Sequence, residues 1–240
     1  MKAAILFDFG GTLDRPAHWL DRFLVHYQAA GIALERPRLD VAFSHATASA
    51  YHASGRMRSL NLEQTVSYLV DLQIERLIED DHRIHAALDA AGGRERVVAA
   101  ITRSFTAESQ IGLATSAPIL RRLATRFRLG VISNFYGNLE QILDDAGLLP
   151  IIETVADSSR LGIFKPDPRI FQAALNAMAI EPEAALMVGD SLSKDCEPAH
   201  ALGMTTVWLR HRPLIGDEFF HKPSGHADFT IDALAELEHL

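Results

Sequence analysis

Ala3-Ala4-Ile5-Leu6-Phe7-Asp8-Phe9-Gly10-Gly11-Thr12-Leu13-Asp14 opens the chain and decides how the rest is read. The apolar run from Ala3 to Phe7 is too short for a helix, and it stops at a carboxylate followed by two glycines. A buried strand that delivers Asp8 into a glycine-rich turn fits this pattern. Beyond it, from about Arg15 to Thr106, apolar residues recur at helical spacing, as in Leu20, Phe23, Leu24 and Tyr27, then Leu69, Leu72 and Leu77. No strand pattern interrupts them, so this stretch is expected to be a helical module.

From about Ser116 the pattern changes to strands alternating with helices. A helix is expected over Ile119 to Phe127, and strands over Leu129–Ser133, Thr154–Ala156, Leu186–Gly189, Thr205–Leu209 and Phe229–Ile231. Helices are expected between them at Leu139–Ala146, Pro168–Met178 and Asp195–Leu202. Alternation at this spacing predicts an α/β fold, a doubly wound parallel sheet with helices on both faces and a helical insertion after the first strand.

The composition sets outer bounds. Of 240 residues 48% are hydrophobic and 22% charged, which suits a globular chain with a full-sized core. Acidic residues outnumber basic ones, 31 to 23, for a net charge of −8. That balance argues against non-specific nucleic-acid binding, and any site for an anion must be locally positive against it. No run of eighteen apolar residues predicts a membrane span, and Asp8 comes too early for a signal peptide, so a cytoplasmic location is expected. Cys196 is the single cysteine, which excludes an internal disulfide and a multi-cysteine metal site. The eleven histidines show no i, i+4 pair with a nearby acid. No repeat or low-complexity tract is present, and the Pro-, Gly- and His-rich stretch from His211 to His226 is expected to be a surface loop.

In an open parallel sheet the active site lies beyond the carboxyl ends of the strands. Asp8 through Asp14 follow the first strand, and Ser133 and Asn134 close the second. Lys165-Pro166-Asp167 precede the Pro168 helix, and Asp190, Ser191 and Asp195 follow the Leu186 strand. A strand-end Asp is often only a helix cap, and a lone Ser or Lys says little. Carboxylates, a hydroxyl and a lysine that each close their own element, in this order, converge on one edge of the sheet.

This set resembles the haloacid dehalogenase-like (HAD) hydrolase superfamily. Asp8-Phe9-Gly10-Gly11-Thr12-Leu13 is similar to its first motif, Val131-Ile132-Ser133-Asn134 to its second, and Phe164-Lys165-Pro166-Asp167-Pro168 to its third. Gly189-Asp190-Ser191-Leu192-Ser193-Lys194-Asp195 is similar to the fourth. The resemblance implies a Rossmann-like core of residues 1–14 and 107–240, with a small all-helical cap domain of residues 15–106. It implies a phosphohydrolase of a small phosphorylated metabolite, with Asp8 as nucleophile forming an aspartyl-phosphate. Mg²⁺ would be held by Asp8, the Gly10 carbonyl, Asp190 and Asp195, the last as ligand or one step removed. An ordinary first-turn acid is the plainer reading of Asp195. Ser133 and Asn134 would meet the phosphoryl group, Lys165 would neutralise nucleophile and phosphate together, and Thr12 would orient the nucleophile loop or simply make the turn.

One residue departs from the pattern. Phosphatases of the superfamily usually carry a second Asp two positions after the nucleophile, as acid and base, and here that position is Gly10. A positioned acid or base contributes roughly 10²–10⁴-fold, so its loss matters. Three readings stay open: a phosphatase confined to leaving groups that need no proton, such as acyl and aryl phosphates; a 2-haloacid dehalogenase; and a binding or regulatory protein with lapsed chemistry. Asp14, His18, His45 and His52 are candidate substitutes for the acid. A Schiff-base mechanism is excluded, because the lysines are Lys2, Lys165, Lys194 and Lys222 and the expected cap has none. Arg15, Arg56, Arg58 and Tyr51 are further candidates to meet substrate, and Cys196 reads as a packed thiol. Neither the substrate nor the oligomeric state is legible.

Overall fold

The computed structural model describes residues 2–211, 214 and 225–239. All four residues of β1 (Ala4–Phe7) are buried, so this strand requires partners on both edges and cover on both faces. Two parallel neighbours supply the edges: β2 (Arg128–Ser133) places Leu129 opposite Ile5, and β4 (Ala185–Gly189) places Leu186 there on the other side. β3 (Thr154–Asp157), β5 (Thr205–Leu209) and β6 (Phe229–Ile231) complete a sheet of order β3-β2-β1-β4-β5-β6, in which every pairing is parallel. The expected doubly wound α/β sheet is therefore present, with β1 where the strand order turns back. Its carboxyl end opens on the crevice that such a turning point creates.

Strand alternation divides the apolar residues between the two faces. Ala4, Leu6, Ile132 and Met187 point to one side, where they meet Ile170, Phe171, Ala174 and Leu175 of α9 (Pro168–Ala177) and Ala199 of α10 (Glu197–Ala201). Ile5, Phe7, Val131 and Val188 point to the other side, into a cluster that continues through Leu139, Ile142 and Leu143 of α7 (Leu139–Asp145). α8 (Ser158–Leu161) is a single turn after β3, capped by Asp157.

Between β1 and β2 the chain is helical, as the 3.6-residue pattern predicts: α1 (Trp19–Ala29), α2 (Arg36–His52), α3 (Ser54–Met57), α4 (Leu62–Asp80), α5 (Arg83–Ala90) and α6 (Arg94–Leu123). α4 starts on a capping box, Asn61 with Gln64, which satisfies two otherwise orphaned donors. α6 runs unbroken for 30 residues, about 45 Å. Val97, Ile101 and Phe105 in its first half, and Leu113, Leu120 and Leu123 in its second, belong to the same apolar cluster as Ile5 and Val131. The expected boundary between residues 106 and 107 falls inside this helix.

Two local expectations change. The helix expected over Ile119–Phe127 is the end of α6, which stops at Leu123. The one expected over Asp195–Leu202 is split into a wide π turn, Leu192–Cys196, and then α10. The loop expected from His211 to His226 falls mostly outside the described residues. Among the described residues no helix is long and apolar enough to cross a membrane.

Candidate active site

Asp8 leaves β1 at the carboxyl edge of the sheet, its N–H donating to the Val188 carbonyl of β4 at 2.9 Å. Ser133 leaves β2 beside it, and its Oγ donates to Asp8 Oδ1 at 3.0 Å. Lys165 arrives from the loop before α9. Its Nζ donates to Asp8 Oδ1 at 2.6 Å, to Asp195 Oδ1 at 2.6 Å and to the Ile132 carbonyl at 3.0 Å. Three acceptors for three ammonium protons leave this buried lysine fully satisfied. Thr12, also buried, lies with Oγ1 3.4 Å from Asp8 Oδ2, consistent with orienting the loop.

Asp190 and Asp195 come from the end of β4. The Asp190 carbonyl is held by Trp208 Nε1 at 2.8 Å. The π turn carries Asp195 back over Gly189, where a β-carbon would overlap the Asp195 carboxylate, and its Oδ2 accepts the Ser191 N–H at 3.0 Å. That close approach explains why the α-helix expected to begin at Asp195 is a wider turn: an α start would aim the side chain elsewhere. Carboxylate oxygens of Asp8, Asp190 and Asp195 lie within 4.8 Å of one another. Burial, then the charges of Asp8 and Asp195, push the Asp190 carboxyl well above the usual range. Burial also raises Asp195, to about 6, although Lys165 opposes it. Burial pulls Lys165 down, but Asp195 and Asp8 more than offset this and hold it above the ordinary lysine value. Three crowded carboxylates with one ammonium among them are an all-oxygen donor set in want of a further cation, the chemistry that suits Mg²⁺.

The cavity over this group measures about 170 Å³ and is lined by Gly10, His18, Trp19, Phe43, Tyr51, Phe135 and Tyr136 besides the charged residues. Its cations are Lys165 and Lys194. The Trp19 indole covers Gly10, with Nε1 3.2 Å from where a β-carbon at 10 would stand. That nitrogen donates to Asp14 Oδ2 at 2.8 Å. Asp14 is fully buried and also accepts from Arg22 Nη1 at 2.6 Å, Ser109 Oγ at 3.1 Å and the Gly11 N–H at 2.8 Å. With four donors on it, Asp14 is a structural pivot rather than a replacement acid. His18 does line the cavity, but its Nδ1 caps α1. Desolvation over the cavity lowers its pKa, with Asp21 opposing and Lys194 adding to this, although the residue as a whole is exposed. His45 and His52 are exposed and do not line the cavity.

Of the sequence candidates, Asp8, Gly10, Ser133, Asn134, Lys165, Asp190 and Asp195 all line this one cavity. Asn134, expected to touch substrate, lines the cavity and uses its carboxamide to hold the lysine loop. Its Oδ1 accepts the Lys165 N–H at 2.7 Å and its Nδ2 donates to the Lys165 carbonyl at 2.9 Å. Arg15 pairs with Glu108 at 2.7 Å, Arg56 stacks on Tyr68, and neither Arg56 nor Arg58 lines the cavity. Tyr51 does, packed edge-on to Phe164 and tilted against Tyr136. Cys196 is buried, and burial pushes its thiol well above the ordinary value, so it is a packed thiol.

Sequence reasoning missed the residues that hold the Asp8–Asp14 loop from behind. Ser116 Oγ donates to the Leu13 carbonyl at 2.9 Å, and the His211 ring lies 2.7 Å from the Gly11 carbonyl. At Gly112 a β-carbon would overlap the Asp14 carbonyl, so α6 meets this loop backbone to backbone. A glycine flanked by Ser109 and Ser116 within a helical run was the available signal.

The sequence model of the haloacid dehalogenase-like hydrolases matches residues 2–203. The chain belongs to this family. Over 86 residues it is 46% identical to the human protein "Haloacid dehalogenase-like hydrolase domain-containing protein 3", covering 35% of this chain and 34% of that one. Over 127 residues it is 35% identical to a phosphoserine phosphatase of Thermus thermophilus, covering 51% of each. The chain thus spans about a third to a half of the curated relatives it matches. A 2-haloacid dehalogenase from Pseudomonas syringae shares its fold, with a TM-score of 0.53, 22% identity and coverage of 100% of this chain and 97% of that one. In this HAD hydrolase Asp8, Lys165, Asp190 and Asp195 line one cavity together with Gly10.

Proposed function

We propose that this HAD hydrolase is a Mg²⁺-dependent phosphatase that passes the phosphoryl group through Asp8 and prefers substrates whose leaving group needs no proton. The observation that carries the reading is one cavity holding Asp8, Lys165, Asp190 and Asp195 together with Gly10 under an indole. A dianionic phosphate entering among three carboxylates needs more positive charge than Lys165 and Lys194 supply. Mg²⁺ held by Asp8, Asp190, Asp195 and the Gly10 carbonyl would supply it and stabilise charge on the transferring oxygens.

The chain's own residues do the rest. Lys165 and Ser133 grip Asp8 Oδ1, which fixes the carboxylate for in-line attack on phosphorus and holds donors close to the incoming phosphoryl oxygens. Asn134 places Lys165 through its main chain. Attack forms the Asp8–phosphorus bond and breaks the bond to the leaving oxygen, which departs as a phenolate or carboxylate without a proton from the protein. Aromatic walls from Trp19, Phe43, Tyr51, Phe135 and Tyr136 suit a small apolar leaving group. Water then cleaves the acyl phosphate with no general base, roughly 10²–10⁴-fold more slowly than a based site would allow. Residues 15–106, with the start of α6, act as the cap that supplies His18, Trp19, Phe43 and Tyr51 to this wall.

Dehalogenation is the second reading, favoured by the same missing acid and apolar wall and opposed by the crowding of Asp190 and Asp195, which halide displacement from carbon does not need. Hydrolysis of an aryl phosphate, an acyl phosphate, an alkyl phosphate and a 2-haloacid, each with and without Mg²⁺, separates the two. The phosphatase reading expects Mg²⁺-dependent phosphate release from the first two, far less from the third, and no halide. Metal-independent halide release would replace it with the dehalogenase.

A further inference from the structure

A second group of metal-ligating side chains lies outside the Asp8 cavity. His200 in the last turn of α10, and His226 and Asp228 just before β6, place one ligand atom each within 4.8 Å of one another, all exposed. His200 Nδ1 is 3.5 Å from Asp228 Oδ2, and His226 Nε2 is 3.6 Å from Asp228 Oδ1. The two rings stand edge-on with centroids 4.8 Å apart. The carboxylate is held in place from behind: its Oδ2 accepts the Thr206 N–H at 2.8 Å and the Thr206 hydroxyl at 2.9 Å, and Thr206 Oγ1 accepts the Asp228 N–H at 3.1 Å. Each carboxylate oxygen therefore faces one imidazole, Oδ1 that of His226 and Oδ2 that of His200, on a carboxylate that β5 orients, which is how outer hydrogen bonds prepare a metal ligand.

We propose that His200, His226 and Asp228 form a binding site for a first-row transition ion, Zn²⁺ by preference. Two imidazole nitrogens and a carboxylate oxygen suit that class of ion, whereas Mg²⁺ favours all-oxygen sets such as the Asp8 group. The spacing agrees. Zinc–nitrogen and zinc–oxygen bonds of about 2.0–2.2 Å at tetrahedral angles put neighbouring ligand atoms roughly 3.3 Å apart, and each imidazole nitrogen lies 3.5 or 3.6 Å from an oxygen of the Asp228 carboxylate. Exposure leaves the fourth position to water. An ion there would tie the last turn of α10 to the chain entering β6. The sequence hides the site because His200 lies far from His226-Ala227-Asp228 and no helical i, i+4 pair marks it.

The test uses the full, tag-free chain, stripped of metal and then saturated with Mg²⁺ so that the carboxylates of the Asp8 cavity do not compete. Titration with Zn²⁺ by calorimetry should show one equivalent bound at micromolar concentrations. In both His200→Ala and His226→Ala that binding should weaken by about 10-fold or more, while Mg²⁺-dependent turnover and the zinc-free melting temperature stay at wild-type values. Co²⁺ in place of Zn²⁺ should give the visible absorption of a four-coordinate nitrogen–oxygen site in the wild type and lose it in both variants. Wild-type zinc affinity in either variant, or no zinc bound by the wild type in that range, would overturn the proposal.

Discussion

At the scale of the residue, the site turns on what Gly10 omits and what Trp19 puts in its place. An acid at position 10 would project toward the indole, whose Nε1 stands 3.2 Å from the β-carbon position, so the ring must shift by a few tenths of an ångström to admit it. Gly10→Asp is expected to raise the rate of the first, phosphorylating step on an alkyl phosphate by about 10²-fold or more while changing the phenolate burst rate of an aryl phosphate much less. Rapid-mixing kinetics of the first turnover on the pair checks it, and equal effects on both first-step rates would show that leaving-group protonation is not the deficit. Asp8, Ser133, Lys165, Asp190 and Asp195 were legible in the sequence, because each closes a strand or opens a loop and strand ends share one edge. Trp19 and the true partner of Asn134 were not. Their roles depend on which side chains face each other across the cavity, and neither periodicity nor strand position encodes that.

At the scale of the element, α6 decides how the Asp8–Asp14 loop is held. The sequence showed a helical insertion, a helix near Ile119 and the sheet after it, yet not that one helix runs across the expected boundary at residues 106 and 107. Apolar residues recur at helical spacing straight through Phe105 and Leu113, so no local signal marks a boundary. The π turn at Leu192–Cys196 was equally hidden, since its geometry answers to the Asp195 carboxylate lying over Gly189. Gly112 is the contact between α6 and the Asp14 backbone. Alanine in mid-helix ordinarily stabilises by up to about 1 kcal/mol, but here the β-carbon would overlap a main-chain carbonyl. Gly112→Ala should therefore lose about 2 kcal/mol of stability or more and lower turnover, as measured by urea denaturation and kinetics. An unchanged or raised midpoint would show that the helix and loop are not in this contact.

At the scale of the molecule, an acidic chain has gathered two buried carboxylates and one half-buried one near a single buried lysine, and the cost appears as a dependence of stability on pH. Asp190 and Asp195 both have folded-state pKa values above those of unfolded carboxyls, so the native state binds their protons more tightly. Stability from these groups is then greatest in acid and falls as pH rises from roughly 4, the unfolded carboxyl range, through the value of about 6 for Asp195. Mg²⁺ competes with those protons. The rise in melting temperature caused by saturating Mg²⁺ should be larger at pH 7.5 than at pH 5, and a rise independent of pH would place the ion away from these acids.

The claim on which the account rests is that Asp8 takes the phosphoryl group in a site that expels a good leaving group quickly and has no base to hasten water. Rapid mixing of the Mg²⁺-loaded protein with a chromogenic aryl phosphate tests both halves at once. The predicted trace is a burst of phenolate close to one equivalent of protein, followed by slow turnover, with burst and turnover both absent in a folded Asp8→Asn variant. Release that is linear from the first turnover, or a burst that survives in Asp8→Asn, would contradict it.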